Sequence, residues 1–163
     1  TFEWWFFIGL MASWLGDLCL VWSGTGARFK LGVLSFLLAH VAYGVAFVFV
    51  DFDAVTAGSL MVLFSAIGFA VYRKLKEHMS TSLRVPVQVY ILALCAMTAL
   101  AWSVRPPYSC LAYGLAATAF LVSDISVALQ RFGAYSTTHR LWGIPLYFGA
   151  QMAFAILITE EFS

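Results

Sequence analysis

Residues Leu31–Val50 read LGVLSFLLAHVAYGVAFVFV, twenty positions with no charge and only Ser35, His40 and Tyr43 as side-chain polar groups. As a helix rising 1.5 Å per residue the run is about 30 Å long, the thickness of a bilayer's hydrocarbon core. It is too long and too uniformly apolar for an alternating barrel strand. In lipid a segment must satisfy its own backbone, and a helix does so.

The same window, moved outward along the chain, finds five more spans: Trp4–Trp22, Ala54–Tyr72, Val85–Trp102, Tyr108–Leu129 and Leu141–Thr159. The separators are short and carry turn residues: Ser23-Gly24-Thr25-Gly26, Asp51-Phe52-Asp53, Arg105-Pro106-Pro107, and Gly133 through Thr138. The pattern predicts an all-α fold, a polytopic transmembrane helix bundle with six visible spans, in a single domain over residues 1–163. Composition agrees. The 163 residues are 63% hydrophobic and 10% charged, against about 45–50% and about 25% in soluble domains, and mean hydropathy is +0.90. An ordinary soluble enzyme and a disordered segment are excluded. So is a nucleic-acid binder, because a net charge of +1 supplies no phosphate-tracking field.

Thr1 stands where a Met would start a chain, and Glu3-Trp4-Trp5 leads straight into the first span. Without a basic n-region or a small-residue cleavage site this is no signal peptide; we expect the chain to begin inside a longer protein or to have been trimmed. Cys19, Cys95 and Cys110 are odd in number and lack CxxC spacing, so neither a disulfide framework nor a metal site is expected.

Eight of the nine basic residues fall in alternate loops: Arg28 and Lys30; Arg73, Lys74, Lys76 and Arg84; Arg131 and Arg140. Arg105 alone lies on the other side, with Asp51, Asp53, Glu160 and Glu161. By the positive-inside rule both chain ends face outward and the three basic loops are cytosolic.

Two charges lie within spans, Asp17 in Gly16-Asp17 and Asp124 in Ser123-Asp124. A carboxylate at membrane depth costs a few kcal/mol and wants a partner, a proton or a cavity. Helix-packing polar groups or snorkelling side chains are the plain alternative. The first and fifth spans run in the same direction, and both carboxyls fall about 8–11 Å from the cytosolic edge. If they converge, two carboxyls in a dry site share a proton, which yields an acid and a base together.

The remaining polar groups inside spans are weaker signals. His40 lies about 15 Å deep with Tyr43 a turn beyond, and Tyr147 and Gln151 share one face of the last span. His40 is equally a satisfied helix–helix hydrogen bonder, and no second histidine supports a metal. Gln88 and Tyr90 read as interfacial, and the tryptophans and phenylalanine stripes as lipid-facing or belt residues.

Four segments resemble the lysoplasmalogenase (YhhN-like) membrane family, in family order: Ser13-Trp14-Leu15-Gly16-Asp17-Leu18-Cys19-Leu20-Val21-Trp22; Phe36-Leu37-Leu38-Ala39-His40-Val41-Ala42-Tyr43; Val122-Ser123-Asp124-Ile125-Ser126-Val127-Ala128-Leu129 with Phe132; and Tyr147-Phe148-Gly149-Ala150-Gln151. The first is most similar to the animal-type branch. The resemblance implies an eight-helix fold with two further N-terminal helices, an endomembrane such as the endoplasmic reticulum, and no cofactor. It also implies hydrolysis of the vinyl ether of lysoplasmalogens to a fatty aldehyde and glycerophosphoethanolamine or glycerophosphocholine. The partners it implies are a lysophospholipid substrate, water and membrane lipid.

Asp17 and Asp124 are then the expected catalytic pair. His40, Tyr43, Ser123, Tyr147 and Gln151 are candidate substrate contacts, and Arg28, Lys30, Arg131 and Arg140 candidate partners for the lipid phosphate. Gln130, where an acidic or other polar residue is common, and Phe148, in place of a second tyrosine, depart from the family pattern. Two competing functions use the same aspartates. An intramembrane aspartyl protease would carry Gly-x-Gly-Asp and Tyr-Asp motifs, but Trp14 and Ser123 occupy the motif positions. A transporter or proton relay would favour paired broken helices, and Pro145 is the one proline well inside a span. A retinal protein is excluded because no span holds a lysine for a Schiff base.

Overall fold

The computed structural model describes residues 2–21, 26–133 and 137–160. Trp22, the Ser23–Thr25 turn, residues 134–136 of the last loop and Glu161 lie outside them. The described residues form six α-helices: α1 (Phe2–Val21), α2 (Ala27–Val48), α3 (Ala54–Leu75), α4 (Thr81–Ala101), α5 (Cys110–Phe132) and α6 (Thr137–Glu160), with a 3-10 turn at Lys76–His78. Each is long and apolar enough to cross a membrane, and the chain is a multi-pass membrane protein. At the basic ends the helices outrun the apolar windows. α3 continues through Arg73 and Lys74, α4 starts at Thr81, and α5 runs to Phe132. Basic side chains reach the interface from a helix that has not yet ended, and in a last turn they complement the helix dipole.

The opposite end is capped and tied. Asp53 Oδ1 accepts from the Thr56 N–H at 2.7 Å, and Ser109 Oγ accepts from the Ala112 N–H at 3.3 Å, each opening a helix. Arg105, isolated in the sequence as the single basic residue of its side, donates to Asp53 at 2.5 Å and lies 3.9 Å from Asp51. Backbone bonds run beside it, Asp53 N–H to Ser103 O at 2.7 Å and Arg105 N–H to Asp51 O at 2.8 Å. The Thr56 N–H, followed by Arg105, holds the Asp53 carboxyl down at about 2. The α2–α3 and α4–α5 loops are thereby joined.

α1 pairs chiefly with α2, and α5 with α6; α4 packs on α2, α3 and α5, and α6 also touches α1. Small residues set the closest approaches. A Cβ at Gly9 would sit 2.4 Å from the Tyr43 ring, and one at Gly16 2.7 Å from the Phe36 ring. Between the two glycines Ser35 Oγ donates to Ala12 O at 2.7 Å. This is the small-residue logic of helix association in lipid.

Phe7, Phe49 and Phe69 are exposed as expected, whereas another part of the phenylalanine stripes departs from its expected placement. Phe6, Phe47, Phe120 and Phe154 are wholly buried. Phe6 stacks at ring-centroid distances of 5.3 Å on Phe47 and 5.4 Å on Phe154. With Tyr43 and Tyr113 they form an aromatic core between helices, where offset and edge-on rings pack densely. Trp4 and Trp14 do face outward. Trp102 turns inward, packing over Gly114 and donating to Thr118 Oγ1 at 2.9 Å. α3 is the least embedded helix, with Leu75 its only buried residue. All three cysteines are free thiols.

Candidate active site

A cavity of about 310 Å³ lies toward the basic ends of the helices, and all six contribute to its wall. Its lining is apolar apart from a few groups, among them Asp17, Tyr90, Ser123, Asp124 and Tyr147, with Gln130, Arg131 and Arg140 from the helix ends.

Gly16 is buried against the Phe36 ring, so α1 lies tight on α2 at this level. The next residue is about 100° further round the helix, which turns Asp17 away from that seam. There the Tyr147 hydroxyl of α6 donates to Asp17 Oδ2 at 2.6 Å. Asp124 follows buried Ser123 on α5. Its Oδ2 accepts from the Tyr90 hydroxyl of α4 at 2.7 Å and lies 3.3 Å from His40 Nε2 of α2. Its side chain is 12% exposed and that of His40 is fully enclosed, the imidazole edge-on to Tyr90 at 5.1 Å and Phe120 at 4.8 Å between centroids. The two carboxyls therefore meet at one cavity although α1 and α5 pack mainly on other helices; α6 is the neighbour they share.

Behind Asp17 the hydrogen bonds continue. Gln151 Nε2 donates to the Tyr147 hydroxyl at 3.2 Å, and the buried Tyr43 hydroxyl donates to Gln151 Oε1 at 2.7 Å. Of the residues expected to contact a substrate, Ser123, Tyr147, Arg131 and Arg140 line the cavity, while His40, Tyr43, Gln151, Arg28 and Lys30 do not. His40 and Tyr43 lie behind the wall at zero exposure, and Arg28 and Lys30 occupy exposed positions in the first turn of α2. The Arg131 guanidinium lies 4.1 Å above the ring of Phe29, another wall residue. Gln130 and Phe148, the two departures from the family pattern, also line the cavity.

Tyr90, which the sequence reads as interfacial, is instead a cavity residue bonded to Asp124. The signal was available. Counted from Arg84, Tyr90 lies about 9 Å deep, the depth of both carboxyls. Chemically the site offers two carboxyls from different helices, each held by one tyrosine hydroxyl, at an apolar cavity with Arg131 and Arg140 in its wall.

The sequence model of the YhhN family matches residues 1–158. Lysoplasmalogenase TMEM86A of Bos taurus is 30% identical over 165 residues, covering 95% of this chain and 65% of the relative. The Homo sapiens lysoplasmalogenase TMEM86A is 29% identical with the same coverages. Lysoplasmalogenase TMEM86B of Sus scrofa is 28% identical, covering 93% of this chain and 62% of the relative. The chain thus spans a little under two thirds of the length of these curated relatives. No solved structure matches it significantly.

Proposed function

The chain belongs to the YhhN family, and from that premise and the site geometry we propose that it is a lysoplasmalogenase-type hydrolase whose acid–base pair is Asp17 and Asp124. The observation that carries the reading is that these two carboxyls, from α1 and α5, line one cavity and each accepts a tyrosine hydroxyl hydrogen bond. The lysoplasmalogenase relatives supply the substrate class.

A vinyl ether, R–CH=CH–O–R′, is cleaved by adding a proton to the alkene carbon remote from oxygen. The C=C pair forms the new C–H bond, and positive charge passes to the C–O unit as an oxocarbenium ion. Water adds to that carbon and gives up a proton to a base, leaving a hemiacetal. Collapse of the hemiacetal breaks the bond to R′–O and releases the aldehyde R–CH2–CHO and the alcohol R′–OH. One carboxyl, while protonated, is the donor. The other, as carboxylate, steadies the cation and accepts the proton of water. The apolar wall suits the hydrocarbon chain. Arg131 and Arg140 suit the phosphate of the headgroup, and the basic ends then face the cytosol.

The test is aldehyde release from a lysoplasmalogen by the purified protein in lipid–detergent micelles. Asp17→Asn and Asp124→Asn, each eluting as a folded species on size exclusion, should each lose about 10²-fold or more, the scale of general acid–base catalysis. Activity retained by either variant removes that residue from the pair.

A further inference from the structure

The hydrogen bonds behind Asp17 have a direction that follows from donor and acceptor inventory. Tyr43 spends its hydrogen on Gln151 Oε1 at 2.7 Å, so the amide must turn its NH2 toward Tyr147, which it meets at 3.2 Å. The Tyr147 oxygen is then an acceptor on that side, and its single hydrogen goes to Asp17 Oδ2 at 2.6 Å. Four groups on three helices, α2, α6 and α1, point one way and end on a carboxyl oxygen that must present a bare lone pair. Such chains polarise one another, and each bond strengthens the next. Neither Tyr43 nor Gln151 lines the cavity. Tyr43 is fully enclosed, its ring 4.9 Å from Phe154 and 5.5 Å from Phe6, and buried Ser13 is the other polar side chain that its hydroxyl meets.

We propose that Tyr43 and Gln151 are positioning residues, a directional hydrogen-bond chain acting through Tyr147 that fixes Asp17 as an acceptor at Oδ2 and confines any proton it carries to Oδ1. This rests on the assignment of Asp17 to the acid–base pair and deepens it. Asp124 has a different environment, with Tyr90 and His40 at the same oxygen and, among the described residues, no side-chain amide bonded behind them. The two carboxyls are thus held by unlike partners, as an acid and a base require.

The experiment compares wild type with Tyr43→Phe, Gln151→Leu and Gln151→Glu by turnover and by infrared spectroscopy. The carboxyl band of Asp17 is assigned by its loss in Asp17→Asn. Tyr43→Phe removes one oxygen from a packed ring and leaves the fold intact, monitored by the thermal midpoint. It should lower kcat about 2- to 10-fold, the weight of one hydrogen bond between neutral groups, with KM unchanged. The Asp17 band should shift in frequency. Gln151→Leu should do the same. Gln151→Glu keeps the volume but puts an acceptor where the amide donor was, so it competes for the Tyr147 hydrogen and should lower kcat further than Gln151→Leu.

A wild-type kcat and an unmoved Asp17 band in folded Tyr43→Phe and Gln151→Leu overturn the proposal even while Asp17→Asn is inactive. Raised KM with unchanged kcat overturns it in favour of substrate contact. If Asp17→Asn is itself active, the acid–base assignment falls, and the band shift alone decides whether the chain exists.

Discussion

Tyr90 gives one hydrogen to Asp124, and its removal is the most conservative cut available at that carboxyl. Tyr90→Phe leaves Oδ2 with His40 Nε2 at 3.3 Å as its remaining close polar neighbour. A hydrogen bond to a charged group is worth about 1.5–3 kcal/mol, so turnover should fall about 10- to 100-fold while the thermal midpoint moves little. Aldehyde release at saturating substrate measures it, and an unchanged rate would exclude Tyr90 from the site. At this scale the sequence was informative where charge was scarce. Asp17 and Asp124 stood out because a carboxylate inside a span has no cheap alternative to a partner or a cavity. Tyrosine sits well both at an interface and in a core, so Tyr90 carried no such contrast. The difference between Tyr43 and Tyr147, one behind the wall and one in it, depends on helix rotation that side-chain chemistry does not encode.

At the scale of the helix pair, α1 and α2 meet through glycines whose missing side chains are filled by aromatic rings. Gly9→Ala places a methyl 2.4 Å from a ring carbon of Tyr43, a ring locked between Phe6 and Phe154. Overpacking of this kind costs about 1–3 kcal/mol, so the thermal midpoint in detergent should fall clearly. Gly58→Ala on α3 meets nothing within 4 Å and should leave it unchanged or raise it. The contrast between the two separates helix contact from a general effect of glycine replacement. All six helices were legible from apolar length, because only a helix can satisfy its backbone in lipid. Their ends were not, since an interfacial turn tolerates Arg73 and Lys74 as readily as leucine. The orientation of phenylalanine was not legible either, because lipid and core are equally apolar and hydrophobicity does not separate the two faces.

For the whole molecule, charge placement anticipated which loops share an end, and the bonding of Arg105 to Asp53 agrees with it. Which helix packs on which was beyond the sequence, and with it the convergence of α1 and α5 on one cavity.

The Asp53 carboxyl is held at about 2, below the roughly 3.9 of an unfolded chain. Its stabilising contribution is therefore complete above about pH 4 and is lost as pH falls through about 2. Asp53→Asn should lower the thermal midpoint at pH 6, with the gap to wild type closing toward pH 2; a gap that persists there would place the effect elsewhere. Orientation is read by Cys110, exposed at the start of α5 on the Arg105 side. In sealed right-side-out vesicles an impermeant maleimide added outside should label it, and labelling only after permeabilisation would invert the topology.

The joined loops have a mechanical consequence. With α2 through α5 pinned at the Asp53–Arg105 end, that end acts as a fulcrum and the helices are levers. A tilt of about 5° displaces the far end of a lever about 30 Å long by about 2.6 Å. A helix tipped about its tied end would therefore move most at the level of the cavity and least where the loops are joined.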